Sequence, residues 1–284
     1  MPELPEVESV RRSLLPKICH KKIVGVDIQT PSIVRNEQEF FCRQVLGREF
    51  RDIQRVGKLL IFVLDSKQYL LAHLKMTGKF IYTHKKETVS GGHSLTKIKK
   101  LDPKHTHVIF TFADESTLLF HDVRKFGYLE IVEEQKKEQV VSRFGIEPLA
   151  PSFTLQAFEK IFVNRKTCIK AVLLDQKSIA GVGNIYADEI CFASGVLPSR
   201  TASTLTKQEK QKLFAAAEDI IAKAIEKRGT TFHDYVDGMG NTGSYLEFLQ
   251  VYNRGGQECL RCQGMILKIR VAGRGTHICK NCQK

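Results

Sequence analysis

The sequence has 284 residues, of which 42% are hydrophobic and 26% are charged, as in ordinary globular proteins with room for two domains. No segment approaches 18 consecutive apolar residues, and the N-terminus lacks the basic-then-apolar pattern of a signal peptide, so we expect a cytoplasmic protein with no membrane association. Lysine plus arginine exceed aspartate plus glutamate by 13 (44 against 31), which favours a polyanionic partner such as nucleic acid.

The first eight residues, MPELPEVE, combine a potential nucleophile with potential acid–base groups. Removal of Met1 would leave Pro2 with a free secondary amine of a class that titrates near about pH 8, below the value of about 10.4 for lysine. Part of it is then unprotonated at neutral pH and able to attack carbon, and Glu3 and Glu6 are candidate general acids or bases. On this stretch alone a helix start is the simpler interpretation, because Pro5 and the glutamates suit a first helical turn.

Beyond this helix the sequence alternates apolar and polar residues, which is typical of β-strands. Six short strands are predicted, at residues 22–29, 50–56, 59–64, 69–76, 107–112 and 117–122. Their close spacing indicates a β-sandwich or barrel capped by the N-terminal helix. The basic stretch 85–105 is predicted to be a long surface loop.

From residue 150 onwards the periodicity becomes helical. Helices are predicted at 155–163, 166–174, 185–193, 206–227 and about 245–248. The expected fold class is therefore α+β with several domains. The division is an N-terminal sandwich (1–132), a linker (133–150), a helical domain (151–256) and a small C-terminal module (257–284).

Four of the eight cysteines have metal-ligand spacing. Cys259 and Cys262 form one C-x2-C pair, and Cys279 and Cys282 form another sixteen residues later. Four thiolates fill a tetrahedral zinc site and leave no open position, so the predicted zinc is single and structural. Disulfide pairing is the alternative, which the spacing and the expected cytosolic setting disfavour.

Two other features are candidate phosphate sites. Arg274 lies between Gly273 and Gly275 at the expected tip of a hairpin, where it is either a phosphate contact or a solubilising charge on a turn. We prefer the phosphate contact because other basic surface is present. The glycine-rich segment 179–188 precedes a helix and could expose backbone N–H groups to phosphate, although turn geometry alone could also explain its glycines.

Five segments taken together resemble a known family. They are PELPEVE (2–8), HLKMTG (73–78), DVRKFG (122–127), GVGNIY (181–186) and the terminal four-cysteine module. In this order and spacing they are similar to the bacterial formamidopyrimidine-DNA glycosylases over essentially the whole chain. The resemblance implies a helix-capped β-sandwich followed by a helix-two-turn-helix domain and a four-cysteine zinc finger.

The resemblance also implies an activity: a monomeric base-excision repair enzyme acting on double-stranded DNA with oxidised purines such as 8-oxoguanine and formamidopyrimidines. Pro2 would attack C1′ of the flipped nucleotide, expel the base and form a Schiff base. Glu3 would transfer protons on the sugar side, and Glu6 would support the site. β,δ-Elimination would then cut the strand without an organic cofactor.

Further site residues are implied by position. Lys58, a candidate catalytic residue, would lie near the lesion on the backbone side, and Lys170, a candidate DNA contact, would lie near the base, although without the resemblance both would be interpreted as surface lysines. Backbone phosphates would be bound by His73, Asn184 and Arg274, with help from Tyr186. The void left by the everted nucleotide would be filled by Met76, Arg124 and Phe126, although Met76 and Phe126 alone would more often be core residues.

The sequence departs from the family pattern at a few positions. Lys75 stands where the family usually has Gly, and Val123 and Lys125 stand where it usually has Pro and Arg. The glycine-rich segment 229–243 resembles the family's lesion-covering loop, but no contacts are assigned to it. Two other interpretations are open: endonuclease VIII, which has Gly where this chain has Leu4, and a non-catalytic zinc protein that binds nucleic acid through charge alone.

Overall fold

The computed structural model describes residues 1–85, 87–90, 93–94, 102–230 and 245–284. The chain divides into two compact units: an N-terminal unit, Met1–Ser142 with Lys227–Leu246, and a C-terminal unit, Arg143–Glu226 with Glu247–Lys284. Much of the basic stretch 85–105 and of the glycine-rich segment 229–243 lies outside the described residues. Within the described part of the chain, no helix is both long and apolar enough to cross a membrane.

Helix α1, Leu4–Ile18, opens the N-terminal unit as predicted. Pro5 lies in its first turn, and Glu3 and Glu6 form a reciprocal capping box at its start. The apolar positions Val10, Leu14 and Ile18 repeat at helical spacing and are fully buried. Pro16 lies inside the last turn, and the backbone becomes extended at Cys19.

Two antiparallel sheets form the sandwich of this unit, with strand orders β1-β8-β9-β5-β6-β7 and β10-β4-β3-β2. The strands are β1 Ile23–Ile28, β2 Phe50–Val56, β3 Leu59–Leu64, β4 Gln68–His73, β5 Gly78–His84, β6 Glu87–Ser90, β7 His93–Ser94, β8 Thr106–Phe112, β9 Thr117–Asp122 and β10 Tyr128–Glu133. Apolar side chains from both sheets share one core with α1 and with helix α2, Gln38–Val45. The sequence pattern correctly predicted six strands and missed β5, β6, β7, β10 and α2.

The strand register brings two turns together. His73 at the end of β4 pairs with Tyr128 at the start of β10, and Asp122 at the end of β9 pairs with Gly78 at the start of β5. Both connections, 74–77 and 123–127, cross from one sheet to the other. They therefore run side by side, and they carry the predicted void-filling residues.

The C-terminal unit is helical and ends in a hairpin. Its elements are helices α4 Leu155–Lys160, α5 Ile169–Leu174, α6 Asn184–Ser194 and α7 Lys207–Glu226, and strands β11 Leu267–Val271 and β12 Arg274–Ile278. Four of the five predicted helices are present with shifted ends, and the fifth, Tyr245–Phe248, is a 3-10 helix. Helix α3, Glu134–Val141, lies in the segment predicted as a linker and belongs to the N-terminal unit. The four-part domain division stays a prediction.

Candidate active site and nucleic-acid interface

The start of α1 places Pro2, Glu3 and Glu6 together, and all three are buried. With Met1 attached, the Pro2 nitrogen is a tertiary amide and has no nucleophilic lone pair, so amine chemistry here requires removal of Met1. Two buried carboxylates follow it closely in the chain, with Glu3 2% and Glu6 4% exposed. A nucleophile at Pro2 would therefore have two candidate acid–base groups, Glu3 and Glu6, within the next four residues of the chain.

Glu6 ties the first turn of α1 to the segment that follows α7. One of its oxygens accepts the Glu3 backbone N–H at 2.8 Å. The other accepts the backbone N–H of Thr230 at 2.8 Å and its hydroxyl at 3.1 Å. Gly229 has φ +82°, and a Cβ there would lie 2.5 Å from the same Glu6 oxygen. Glu6 is thus well suited to hold the first turn in place.

Glu8 is surrounded by three arginines. It accepts two hydrogen bonds from Arg11, at 2.8 and 3.0 Å, one from Arg12 at 2.8 Å and one from Arg55 at 3.0 Å. Burial alone would raise the pKa of Glu8, but these hydrogen bonds lower it to about 2. Arg55 also donates to the Gly57 carbonyl at 3.0 Å, next to the buried Lys58. Arg11, Arg12 and Arg55 thus form an arginine cage around Glu8. This cage connects α1 to the turn that carries Lys58.

The buried Asp122 joins the two crossing turns. One carboxylate oxygen accepts a short hydrogen bond from the Thr77 hydroxyl and one from the Arg124 N–H at 3.1 Å. The other accepts the Gly127 N–H at 2.7 Å. Gly127 has no space for a side chain, because a Cβ would lie 2.7 Å from the Phe120 ring. The shapes of both turns are set by this one carboxylate.

The three predicted void-filling residues project from these turns. Met76 is 38% and Phe126 54% exposed, so the alternative that they are core residues is wrong. The Arg124 guanidinium lies 4.6 Å from the centre of the Phe126 ring, within cation–π range. The structure brings Arg124 and Phe126 into contact and places Met76 on the neighbouring turn, and insertion of the three side chains into DNA stays a prediction.

Lys75 and Lys125, two departures from the family pattern, occupy equivalent positions in the turns. Their φ values are +50° and +55°, in the left-handed region that glycine adopts most easily. A side chain there costs on the order of 1 kcal/mol. The Lys75 N–H donates to Nδ1 of His73 at 3.0 Å. Burial, followed by the charges of Lys75, Lys58 and Arg35, lowers the pKa of His73 to about 3.

In the C-terminal unit, the glycine-rich turn leads into α6 as predicted. Gln176 holds this turn: its carbonyl accepts the Gly181 N–H at 2.9 Å, and its amide donates to the Val182 carbonyl at 2.8 Å. Asn184, the first residue of α6, donates to the Gly275 carbonyl at 3.0 Å. Arg274, the exposed first residue of β12, is therefore adjacent to Asn184, and two predicted phosphate ligands lie together.

Lys170 and Tyr186 are fully buried and Lys58 is 4% exposed, so the interpretation of the two lysines as surface residues is wrong. The Lys170 ammonium bonds Asp188 at 2.5 Å, the Thr276 hydroxyl at 2.7 Å and the Gly275 carbonyl at 3.3 Å. Asp188 in turn accepts the His277 N–H at 2.9 Å. Lys170 thus supports the hairpin that presents Arg274, and direct contacts of Lys170 and Tyr186 with DNA stay predictions.

The four predicted zinc ligands converge. Their Sγ atoms all lie within 4.8 Å of one another. Cys262 and Cys279 are separated by 3.4 Å between sulfurs, and Cys259 and Cys282 by 3.9 Å. Tetrahedral zinc with Zn–S bonds of about 2.3 Å needs sulfurs roughly 3.8 Å apart, whereas a disulfide needs about 2.05 Å. The cluster fits zinc, and none of the four cysteines is in a disulfide, so each can bind the metal as a thiolate.

Sequence reasoning missed Glu8 and Asp122, although both lie in segments that it singled out. A glutamate followed by arginines three and four residues later is a recognisable helical cluster. An aspartate directly before a turn is a common acceptor for the turn's N–H groups. Both signals were present in the sequence, but they indicate positioning groups rather than reactive ones.

Comparison with family models covers nearly the whole chain. Residues 1–129 match the formamidopyrimidine-DNA glycosylase N-terminal domain, and residues 144–241 match the formamidopyrimidine-DNA glycosylase H2TH domain. Residues 256–284 match the zinc finger found in FPG and IleRS.

Full-length relatives and solved structures agree with these matches. The chain is 40% identical to a formamidopyrimidine-DNA glycosylase of Listeria innocua and 41% identical to one of Carboxydothermus hydrogenoformans, each over 100% of both chains. It also resembles Lactococcus lactis Fpg at 33% identity. The wild-type complex with N7-benzyl-Fapy-dG DNA has a TM-score of 0.88 over 100% of both chains. The complex of the same Lactococcus lactis protein with abasic-site DNA has a TM-score of 0.87 over 99% of both chains.

Proposed function

Because the chain belongs to the formamidopyrimidine-DNA glycosylase family, we propose that it is a DNA-formamidopyrimidine glycosylase with AP lyase activity. Its substrates are 8-oxoguanine and formamidopyrimidines in double-stranded DNA, and its role is base-excision repair. The observation that carries this proposal is the opening of α1, where Pro2 precedes a helix start with buried Glu3 and Glu6.

In the proposed mechanism, Pro2 becomes the N-terminal amine once Met1 is removed. Its nitrogen attacks C1′ of the damaged nucleotide, the bond from C1′ to the base breaks, and the base leaves with a proton. Glu3 transfers protons on the sugar side as the ring opens to a Schiff base. The imine acidifies the neighbouring C2′ proton, so β-elimination and then δ-elimination break the two phosphate ester bonds.

The binding groups have different tasks. Met76, Arg124 and Phe126 replace the stacking and pairing of the everted nucleotide. The phosphate backbone is bound by His73, Asn184 and Arg274 with help from Tyr186, and Lys58 acts as a catalytic residue near the lesion on the backbone side. Lys170 supports the hairpin that presents Arg274. One zinc ion in the four-cysteine site is structural, because four thiolates leave no position for substrate. We also propose a cytoplasmic monomer that needs no organic cofactor.

Borohydride trapping tests the proposal, because reduction of the imine converts it to a stable amine link between protein and DNA. Purified protein, with its mature N-terminus checked by mass spectrometry, is incubated with duplexes carrying 8-oxoguanine opposite cytosine, thymine glycol or an abasic site. We expect an adduct with the purine lesion. An adduct with thymine glycol alone would favour an endonuclease VIII activity, and no adduct with any duplex would favour a non-catalytic DNA-binding protein.

Variants identify the nucleophile. Pro2→Gly, or protein with Met1 retained, should lower trapping at least tenfold while duplex affinity stays nearly unchanged, because only the attacking amine is altered. Pro5→Ala is the matched control, since it changes a proline in the first turn of the same helix and leaves the amine intact. Wild-type trapping rates with Met1 in place would exclude the N-terminal amine as the nucleophile.

A further inference from the structure

Two segments of the chain, one with Arg35 and one with His73 and Lys75, bring polar side chains to the ring of Tyr128. The Arg35 guanidinium lies 3.3 Å from the ring centre, and the Lys75 ammonium lies 6.0 Å from it. The His73 ring centre is 5.9 Å away, across the β4–β10 ladder. Arg35 is held beside this strand, because its N–H donates to the Leu129 carbonyl at 2.9 Å. Tyr128 is thus the common neighbour of two cations and a histidine.

His73 contributes a directed donor to this group rather than a charge. Its Nδ1 accepts the Lys75 N–H, so the proton of the neutral ring is on Nε2. Burial and the nearby cations keep the ring neutral at physiological pH, since they lower the pKa of His73 to about 3. A neutral Nε2–H beside lysine and arginine is well suited to bond an anionic oxygen.

The positive charge around Tyr128 exceeds the negative charge. Glu130 approaches Arg35 at 3.3 Å, and within the described residues no carboxylate lies within ion-pair distance of Lys75. Arg35 is half exposed, so it can reach a ligand. Like charges gathered on one surface repel each other unless an anion offsets them, and the anion that a DNA-binding protein meets repeatedly is the backbone phosphodiester.

We propose that Arg35 and Lys75 extend the phosphate contact already assigned to His73 into one phosphate-binding surface for the DNA backbone, and that Tyr128 is the positioning residue of that surface. The ring acts as a support: its face holds the Arg35 guanidinium flat and attracts the Lys75 ammonium, so both cations are preorganised beside the His73 donor. This inference rests on the proposed function in taking DNA as the ligand and His73 as one of its backbone contacts.

The test compares Tyr128→Phe with Tyr128→Leu. Phenylalanine keeps an aromatic face for the cations, whereas leucine keeps bulk without it. Binding to a duplex with a tetrahydrofuran abasic analogue is measured over a range of KCl concentrations. We expect Tyr128→Leu to bind several-fold more weakly and to lose about one unit of the log–log salt slope, because a phosphate contact is weakened. Tyr128→Phe should retain the wild-type slope.

Two further experiments distinguish positioning of the cations by Tyr128 from a general effect of the substitution on protein stability. In an Arg35→Gln/Lys75→Gln background, adding Tyr128→Leu should have no additional effect on the slope, because the ring then has no cations to position. Tyr69→Leu is the matched control, since Tyr69 holds Lys137 at 4.5 Å on the same strand as His73 and should not alter the slope.

Three results would overturn the inference: an unchanged slope in Tyr128→Leu, a Tyr128→Phe variant as weak as Tyr128→Leu, or the same loss in Tyr69→Leu. The second result would assign the effect to the hydroxyl group. Since the duplex is unreactive, this measurement involves no chemistry. Failure of borohydride trapping would therefore overturn the proposed function and leave the phosphate-binding role of Arg35, Lys75 and Tyr128 undecided. An unchanged salt slope would overturn that role and leave the trapping result intact.

Discussion

In the N-terminal unit, Pro2, Glu3 and Glu6 lie at the start of a helix that packs on an extensive apolar core. In the C-terminal unit, the predicted phosphate ligands Asn184 and Arg274 lie beside a small module with little core. Apolar side chains of α1, α2 and both sheets form the first of these cores. The core around the zinc module consists of a few residues, among them Phe192, Val251 and two of the cysteines.

This difference predicts how each region responds to the loss of one polar group. Where a large core carries the fold, removing a charge should change local geometry and leave the unit folded. Where the core is small, metal ligands and a buried ion pair must supply the missing stability. Substitutions of ionic and metal-binding groups should therefore have larger effects near Arg274 than near Pro2.

The largest effect is expected on loss of zinc. Cys279→Ser removes one thiolate from a site whose metal binding contributes on the order of 10 kcal/mol to folding of such modules. The β11–β12 hairpin should unfold, and DNA affinity should fall at least tenfold because Arg274 loses its position. Metal content and duplex binding measure both effects.

The control for this prediction is Cys42→Ser, a half-buried cysteine of α2 that is not part of the cluster. The Cys42→Ser variant should retain bound zinc and wild-type affinity for DNA. Wild-type affinity and salt slope in zinc-free Cys279→Ser protein would show that the hairpin needs no metal, and the contrast between the two units would then fail.

The next largest effect is expected at Lys170. Lys170→Met leaves the Asp188 carboxylate buried without its cation, which costs about 3–5 kcal/mol. Lys223→Met is the matched control, because its pair with Asp219 is exposed and should contribute under about 1 kcal/mol. Urea denaturation of both variants checks the difference, and equal losses would contradict it.

The same variant sharpens the prediction for Lys170 on DNA. If Lys170 acts through the Gly275 carbonyl and the Arg274 turn, Lys170→Met should weaken binding to damaged and undamaged duplexes alike. A loss confined to duplexes with 8-oxoguanine would instead indicate a direct contact with the base.

The zinc site and the start of α1 could be predicted because their residues are close in the sequence. The burial of Lys170 could not, since its partners Asp188 and Thr276 are 18 and 106 residues away. Helix α2 was missed for a different reason: it is eight residues long and buries only Phe41 and Val45, too few apolar positions to show a period. Spacing along the sequence identifies metal ligands and helix caps, whereas ion pairs between distant residues can be identified only once the fold is known.

The smallest effect is expected at Glu8, where charge is removed above the large core. The folded pKa of about 2 lies below the ordinary value of 4.5, so the unfolded chain binds the proton more tightly. The resulting stability, about 3 kcal/mol, is present above pH 4.5 and is lost as pH falls towards 2. Glu8→Gln should therefore be less stable than wild type at pH 7, and the gap should shrink below pH 4.5.

Thermal or urea unfolding at several pH values measures it, with the exposed Glu39→Gln of α2 as control. A gap that is independent of pH would mean that Glu8 acts through its shape and hydrogen bonds rather than its charge, and the arginine cage would then not be an electrostatic link between α1 and Lys58.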